Sequence, residues 1–339
     1  MKKIHLKPLN QQVIVITGAS SGIGLATARE AARRRARLVL ASRNRQALDE
    51  LVEECKAMGT DAIAITADVG VQEDHQKIFD AAMTAYGGIE TWVNNAGVTI
   101  YGKVEEVAIE DQRQLFETNF WGVVYGSLMA VRQLRQTGGA LINVGSEVSD
   151  RAVPLQGMYS ASKHAIKGFT DALRMELEAD DAPVSVTLIK PASIDTAYVE
   201  HAKNYLDVEP QLPPPIYSPK AVADAILYAA EHPMRDIYVG SASRAISALS
   251  RMPTLADKLL GRPMIRAQRT DRLAQPRHDA LWDAGESLQQ ETYTDRHVRS
   301  ASIYTDMNTR WRGLMLAGAG LAALYTALHC LPKAKDRSR

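Results

Sequence analysis

The sequence predicts an α/β fold: a doubly wound parallel sheet of about seven strands with helices on both faces. Two features of the 339-residue chain point there. Across its first two-thirds, short apolar runs alternate with longer segments whose apolar residues recur at helical spacing, the pattern of repeated strand–helix–strand units. A glycine-rich stretch, Thr17-Gly18-Ala19-Ser20-Ser21-Gly22-Ile23-Gly24, follows the first run, where a strand must turn sharply into a helix. Ligands of such sheets bind beyond the carboxyl ends of the strands, so residues at those ends are the first candidates for a site.

The expected strands are Val13–Ile16, Leu38–Ala41, Ala62–Thr66, Thr91–Asn94, Ala140–Val144, Val184–Ile189 and Ile237–Val239. Each is short and rich in branched residues, as a strand buried on both faces should be. Helical spacing marks Leu25–Arg34, Gln46–Met58, Val71–Tyr86, Gln112–Gln133 and Lys220–His232. Residues 204–215 carry four prolines and read as a lid over a substrate or as a rigid surface connection. Beyond residue 241 the alternation stops. Residues 241–265 keep helical spacing, whereas 266–312 are polar and arginine-rich and read as an extended linker or arm. The expected organisation is a catalytic domain over 1–240, a helical and irregular extension over 241–312, and an apolar helix over 313–331.

Composition excludes several classes of function. The net charge of +1 gives no broad basic surface for nucleic acid. The two cysteines, Cys55 and Cys330, make neither a disulfide framework nor a metal site, and each reads as a small apolar filler in a reducing compartment. No metal is expected. The N-terminus lacks the apolar core of a secretory signal. Gly313–Leu331 runs without a formal charge and would span about 28 Å as a helix, close to a bilayer core. Its flanking Arg310, Arg312, Lys333 and Lys335 oppose the insertion that keeps the first domain in the cytoplasm. Membrane attachment and packing, in a dimer interface or on the first domain, are both open for it.

The glycine turn is suited to a dinucleotide. Glycine lets backbone approach a pyrophosphate, and the N-terminus of the following helix presents free N–H groups to the anion. Its spacing, G-x-x-x-G-x-G, differs from the common G-x-G-x-x-G fingerprint. The second strand ends on Ser42-Arg43, with no carboxylate for a ribose 2′-hydroxyl. An arginine there suits a 2′-phosphate, so NADP(H) is expected in preference to NAD(H), which stays open. Asp68-Val69 closes the third strand; Asp68 either accepts from an adenine amino group or caps the next helix. Asn94-Asn95-Ala96-Gly97 closes the fourth.

A third cluster carries chemistry. Tyr159 and Lys163 are four residues apart, on one face of a helix. Ser146 stands thirteen residues before Tyr159, at the end of the fifth expected strand. A phenol beside an ammonium group releases its proton more readily than free tyrosine, so the group reads as an acid/base centre. His164 reads as a packing or interface residue, and Glu147 as an exposed loop carboxylate or, being near the substrate side, as a specificity residue.

Together, Thr17–Gly24, Asn94–Gly97, Asn119, Ser146, Tyr159-Ser160-Ala161-Ser162-Lys163 and Pro191-Ala192-Ser193-Ile194-Asp195-Thr196 resemble the short-chain dehydrogenases/reductases over about residues 10–240. The resemblance implies a Rossmann-like fold, a nicotinamide cofactor and an oxidoreductase that interconverts a secondary alcohol and a ketone or aldehyde. It implies Tyr159 as general acid/base and Lys163 as its modulator and a ribose ligand. Ser146 would bind the substrate oxygen, and Asn119 would hold a water in the proton relay. The implied cofactor contacts are Gly18, Ser20, Ser21, Gly22, Ile23, Gly24, Arg43, Asp68, Val69, Asn95, Ala96, Gly97, Ile194 and Thr196. Ala192 departs from the family's usual glycine; alanine suffices wherever positive φ is not needed. A homo-oligomer and a hydrophobic small-molecule substrate are expected. The rival readings are an NAD-preferring dehydrogenase and a non-catalytic dinucleotide-binding sensor or scaffold.

Overall fold

The computed structural model describes residues 4–284 and 298–299. Its centre is a seven-stranded sheet formed by β1 (Val13–Thr17), β2 (Arg37–Ser42), β3 (Ala62–Thr66), β4 (Thr91–Asn94), β5 (Gly139–Val144), β6 (Val184–Pro191) and β7 (Asp236–Val239). The order across the sheet is β7-β6-β5-β4-β1-β2-β3, and every pairing is parallel. The predicted Rossmann-like fold is borne out, and each of the seven expected strands is present. The order reverses between β1 and β4, the place where ligands of such sheets bind.

Alternation along the strands splits the core into two layers, because successive side chains point to opposite faces. Ile14, Ile16, Leu38, Leu40 and Ile142 pack on one side against α1 (Gly22–Arg33), α2 (Arg45–Ala57) and, later in the chain, the helix Pro219–Glu231. Val13, Val15, Val39, Trp92 and Leu141 pack on the other against α3 (Gln72–Tyr86) and the helices described next. Full burial of each large side chain contributes roughly 1.5–3 kcal/mol. The buried Cys55 thiol, pushed up to about 11 by burial, belongs to the first layer as filler.

The single helix expected over Gln112–Gln133 is instead α4 (Ile109–Phe116), a π-helical turn at Glu117–Trp121 and α5 (Gly122–Thr137). Such turns insert an extra residue into the ladder and re-aim side chains. Here Asn119 points inward to bond both backbone groups of Val98, its Oδ1 accepting at 2.8 Å and its Nδ2 donating at 2.9 Å. The long α6 (Gly157–Ala179) follows β5, and α7 (Pro219–Glu231) starts with a Ser218 cap and proline in its first turn.

The extension divides at residues 250–252 into α8 (Ser241–Leu249) and α9 (Pro253–Ala267), with Pro253 at the first helical position. The linker expected over 266–312 gives way across its described part. Arg269–Leu273 forms a strand antiparallel to Val208–Pro210, and Leu281 is fully buried beside Val98, Ile100, Val107 and Leu115. The proline-rich segment is therefore held on its outer side by the extension. Among the described residues no helix is long and apolar enough to cross a membrane. The candidate helix 313–331 and Cys330 lie outside the described residues.

One polar network crosses the second layer. Asn94 donates to Asn143 at 2.9 Å and to Ser127 at 3.1 Å and accepts from the Trp92 indole at 2.8 Å, while Asn143 donates to Thr170 at 2.9 Å. Removing one member strands several buried partners. Asn94→Leu is expected to destabilise the protein by about 2–4 kcal/mol, read as a lower urea midpoint at unchanged m-value.

Candidate active site

A single cleft opens beyond the carboxyl ends of β1, β2, β4, β5 and β6. The turn after β1 forms its floor. Gly18 takes φ +66° and lies so close to the β4 loop that a Cβ would stand 2.7 Å from Ala96 Cα. Gly22 takes φ +51°, and a Cβ there would meet Thr196 at 3.0 Å. Side chains would therefore be both strained and clashing. Gly24 lies beneath the turn, where a Cβ would collide with the Gly18 carbonyl. Asn95 fastens the turn, donating to the carbonyls of Thr17 at 2.9 Å and Gly18 at 3.2 Å; the Thr17 hydroxyl accepts from the N–H groups of Asn95 and Ala96 at 3.0 and 3.2 Å. Ser21 precedes α1 without spending its side chain on the cap. The exposed N–H groups of α1 and the Ser20 and Ser21 hydroxyls thus remain available to an anion.

The nucleotide end is bounded by β2 and β3. Arg43 lines the cleft, and its guanidinium also donates to the carbonyls of Ala280 at 2.6 Å and Trp282 at 3.2 Å. Trp282 is anchored in turn by its indole N–H to Asp111 at 2.8 Å. Asp68 accepts from Gly70 N–H at 2.8 Å and so shapes the turn ahead of α3, whose cap residue is Val71; it does not cap the helix itself. Val69 lies beside it, its carbonyl bonded to His75 at 2.9 Å.

At the other end stand Ser146, Tyr159 and Lys163. Ser146 closes β5, and its hydroxyl accepts from Val148 N–H at 3.3 Å. Tyr159 and Lys163 share the inner face of α6, with Lys163 Nζ 5.6 Å from the Tyr159 ring centre and donating to the Val144 carbonyl at 2.9 Å. Burial pushes Lys163 down to about 8. Tyr159, expected to sit below an ordinary phenol, is instead pushed up by burial, while Tyr198 and Ser146 pull it down. The desolvation of the phenolate outweighs its neighbours, and the neutral phenol is the resting form. Asn119 is buried behind Gly97, where a Cβ on Gly97 would stand 3.3 Å from Asn119 Oδ1 and 3.8 Å from Lys163 Nζ. Its amide also donates to Ser162 at 3.2 Å.

Ile194 and Thr196 line the wall between the two ends. Ala192 donates its N–H to the Val239 carbonyl at 3.0 Å and is not one of the positive-φ non-glycine residues, which among the described residues are Arg35, Leu155 and Asp181. His164 is exposed and bonded to its own helix at Ser160. Of the two readings of Glu147 the exposed loop carboxylate is overturned: the residue lines the cleft, 9% exposed, and burial pushes it up to about 8. Further lining comes from Tyr198, Leu212, Pro213, Met264, Gln268 and Ala280. The proline-rich segment signalled Leu212 and Pro213, the polar character of 266–312 hid Gln268 and Ala280, and nothing in the sequence marked Tyr198 or Met264 as lining. Among the described residues no cluster could hold a metal ion.

The glycine floor, the free helix terminus and the cations at both ends fit a nicotinamide dinucleotide. The family model for short chain dehydrogenases matches residues 12–206. The chain belongs to the short chain dehydrogenase family. It is 48% identical over 333 residues to the uncharacterized oxidoreductase YxnA of Bacillus subtilis, across 97% of this chain and 94% of that protein. It is 39% identical to 11-beta-hydroxysteroid dehydrogenase A of Sesamum indicum over 55% of this chain and 53% of that one. Among solved structures it resembles a short chain dehydrogenase/reductase of Burkholderia phymatum in complex with NAD (TM-score 0.65, 26% identity, 80% of this chain and all of that one). A second is the alcohol dehydrogenase of Thermococcus sibiricus complexed with 5-hydroxy-NADP (TM-score 0.59, 25% identity, 67% and 95%). This short chain dehydrogenase is accordingly an NAD(P)-binding oxidoreductase acting on CH–OH groups.

The direction of the Lys163 shift has a kinetic consequence. A lysine lowered to about 8 is charged below that pH and loses its charge as pH rises through it. Carbonyl reduction is expected to fall above pH about 8 and the fall to move upward by a pH unit or more in Lys163→Arg, whose charge persists. Glu147 titrates in the same range, so a pH–kcat/KM profile of Glu147→Gln checks the assignment; it should retain the fall.

Proposed function

We propose that the protein is an NADP(H)-dependent oxidoreductase that interconverts a hydrophobic secondary alcohol and its ketone or aldehyde, with Tyr159 as general acid/base. The observation that carries this reading is the convergence of Ser146, Tyr159 and Lys163 on one end of a cleft whose other end holds Arg43. The cofactor supplies the hydride that reaches the carbonyl carbon. Ser146 holds the carbonyl oxygen and stabilises its developing charge. Tyr159 transfers its phenolic proton to that oxygen, and in oxidation its phenolate takes the proton back. Lys163 holds the ribose and offsets the phenolate charge, and Asn119, behind Gly97, positions the water through which Tyr159 recovers its proton. Ser20, Ser21 and the N–H groups of α1 bind the pyrophosphate. Asp68 and Val69 border the adenine, and Ile194 and Thr196 hold the nicotinamide carboxamide.

Arg43 supports NADP(H), because its donors match phosphate oxygens and β2 ends without a carboxylate. The carbonyls of Ala280 and Trp282 already occupy part of that guanidinium, which favours a second reading in which NAD(H) is used equally well. The apolar side chains of Val153, Leu212, Pro213 and Met264 favour a hydrophobic substrate. Exposed Leu128 on α5 and Met175 on α6 support a homo-oligomer built on that face.

Two substitutions test the reading. Tyr159→Phe should lower kcat at least 100-fold, within the range for removing a general acid, while cofactor Kd changes by less than about threefold; unchanged turnover would refute it. Arg43→Ala should weaken NADPH binding about tenfold or more and leave NADH within about threefold. Equal effects on both cofactors, read by fluorescence titration, would favour the second reading.

A further inference from the structure

Glu147 is a carboxyl group of the cleft that the proposed chemistry leaves unused. It follows Ser146 directly and opens the short turn Glu147–Ser149, and it acts electrostatically on Tyr159. Its side chain lines the cleft together with Val153, Tyr159, Tyr198 and Met264. Its Oε2 is fully buried and has no hydrogen-bond partner among the described residues. Gln268, which also lines the cleft, spends its amide on the carbonyls of Pro154 at 2.9 Å and Met264 at 3.2 Å.

A buried carboxyl without a partner costs free energy that an apolar residue at the same place would avoid. Desolvation pushes this one up to about 8, with no compensating cation among the described residues. It is therefore a neutral acid near pH 7, able to donate as well as accept. Neutrality also suits Tyr159, whose pKa an ionised Glu147 would raise further.

We propose that Glu147 is a specificity-determining residue whose carboxyl hydrogen-bonds a second, neutral oxygen of the substrate. The substrate class is then the hydroxyketones and diketones, with their corresponding diols, carried on an otherwise apolar frame. This rests on the carbonyl-reductase reading above and adds to it the chemistry of the group beside the reacting carbon. A substrate oxygen bonded to the Glu147 carboxyl offsets the cost of burying it, so the gain is confined to substrates that carry one.

The test separates the two claims. Binding is measured by calorimetry on the NADPH complex of Tyr159→Phe, alone and combined with Glu147→Gln or Glu147→Leu. The ligands are 2-decalone, its hydroxy and oxo derivatives at successive ring positions, and an amino derivative. At least one oxygenated derivative should bind about tenfold tighter than 2-decalone, the size of one net hydrogen bond. Glutamine, which mimics the neutral acid, should keep that increment, and leucine should abolish it. An increment that is absent, or equal in all three proteins, overturns the proposal. So does preferential binding of the amino derivative that is lost in Glu147→Gln, because Glu147 then acts as a carboxylate. Turnover of the same panel by the protein with Tyr159 intact is read separately. If it is nil, the reductase reading fails while the binding series still judges Glu147.

Discussion

The site depends on how closely two loops approach. The turn after β1 presses against the loop after β4 until no Cβ fits between Gly18 and Ala96, and Asn95 and Thr17 lock the two by four hydrogen bonds. Parallel strands place both loops at the same edge of the sheet. Their contact aims the start of α1 along the cleft and fixes Gly97 in front of Asn119 and Lys163. Positioning of an anion at one end and of a proton donor at the other is thus a single packing problem.

Dryness is the second organising influence. The same low-dielectric pocket lowers Lys163, raises Tyr159 and raises Glu147. Each group is pushed toward its neutral form, as burial without pairing requires. Sequence spacing alone suggested the opposite for Tyr159, since it placed an ammonium group near the phenol but could not show how little water reaches either.

Much of the fold was legible because its signals are local. Strands buried on both faces read as short branched runs, and the turn after β1 announces itself by glycines that positive φ demands at Gly18 and Gly22. Ser146, Tyr159 and Lys163 were found from spacing, and the structure gathers them at one end of the cleft. Three features escaped. The π-helical turn at Glu117–Trp121 has no periodic signature, because the surrounding helices mask one inserted residue. Glu147 looked like any loop acid, since the walls that bury it come from α6, α9 and the segment after β6. Residues 269–284 looked too polar to pack, yet a strand pairing and one leucine, Leu281, are enough to dock them.

Arg43 joins that docked segment to the cleft. Its guanidinium ties the Ala280 and Trp282 carbonyls to the end of β2, so an anionic group arriving there shares or displaces the same donors. Occupancy of the cleft and the seating of the segment are then thermodynamically linked, and linkage is reciprocal. A change in how Ala280 and Trp282 are seated would alter the affinity of such a group by the same factor. A dehydrogenase that ended at its seventh strand would lack that coupling.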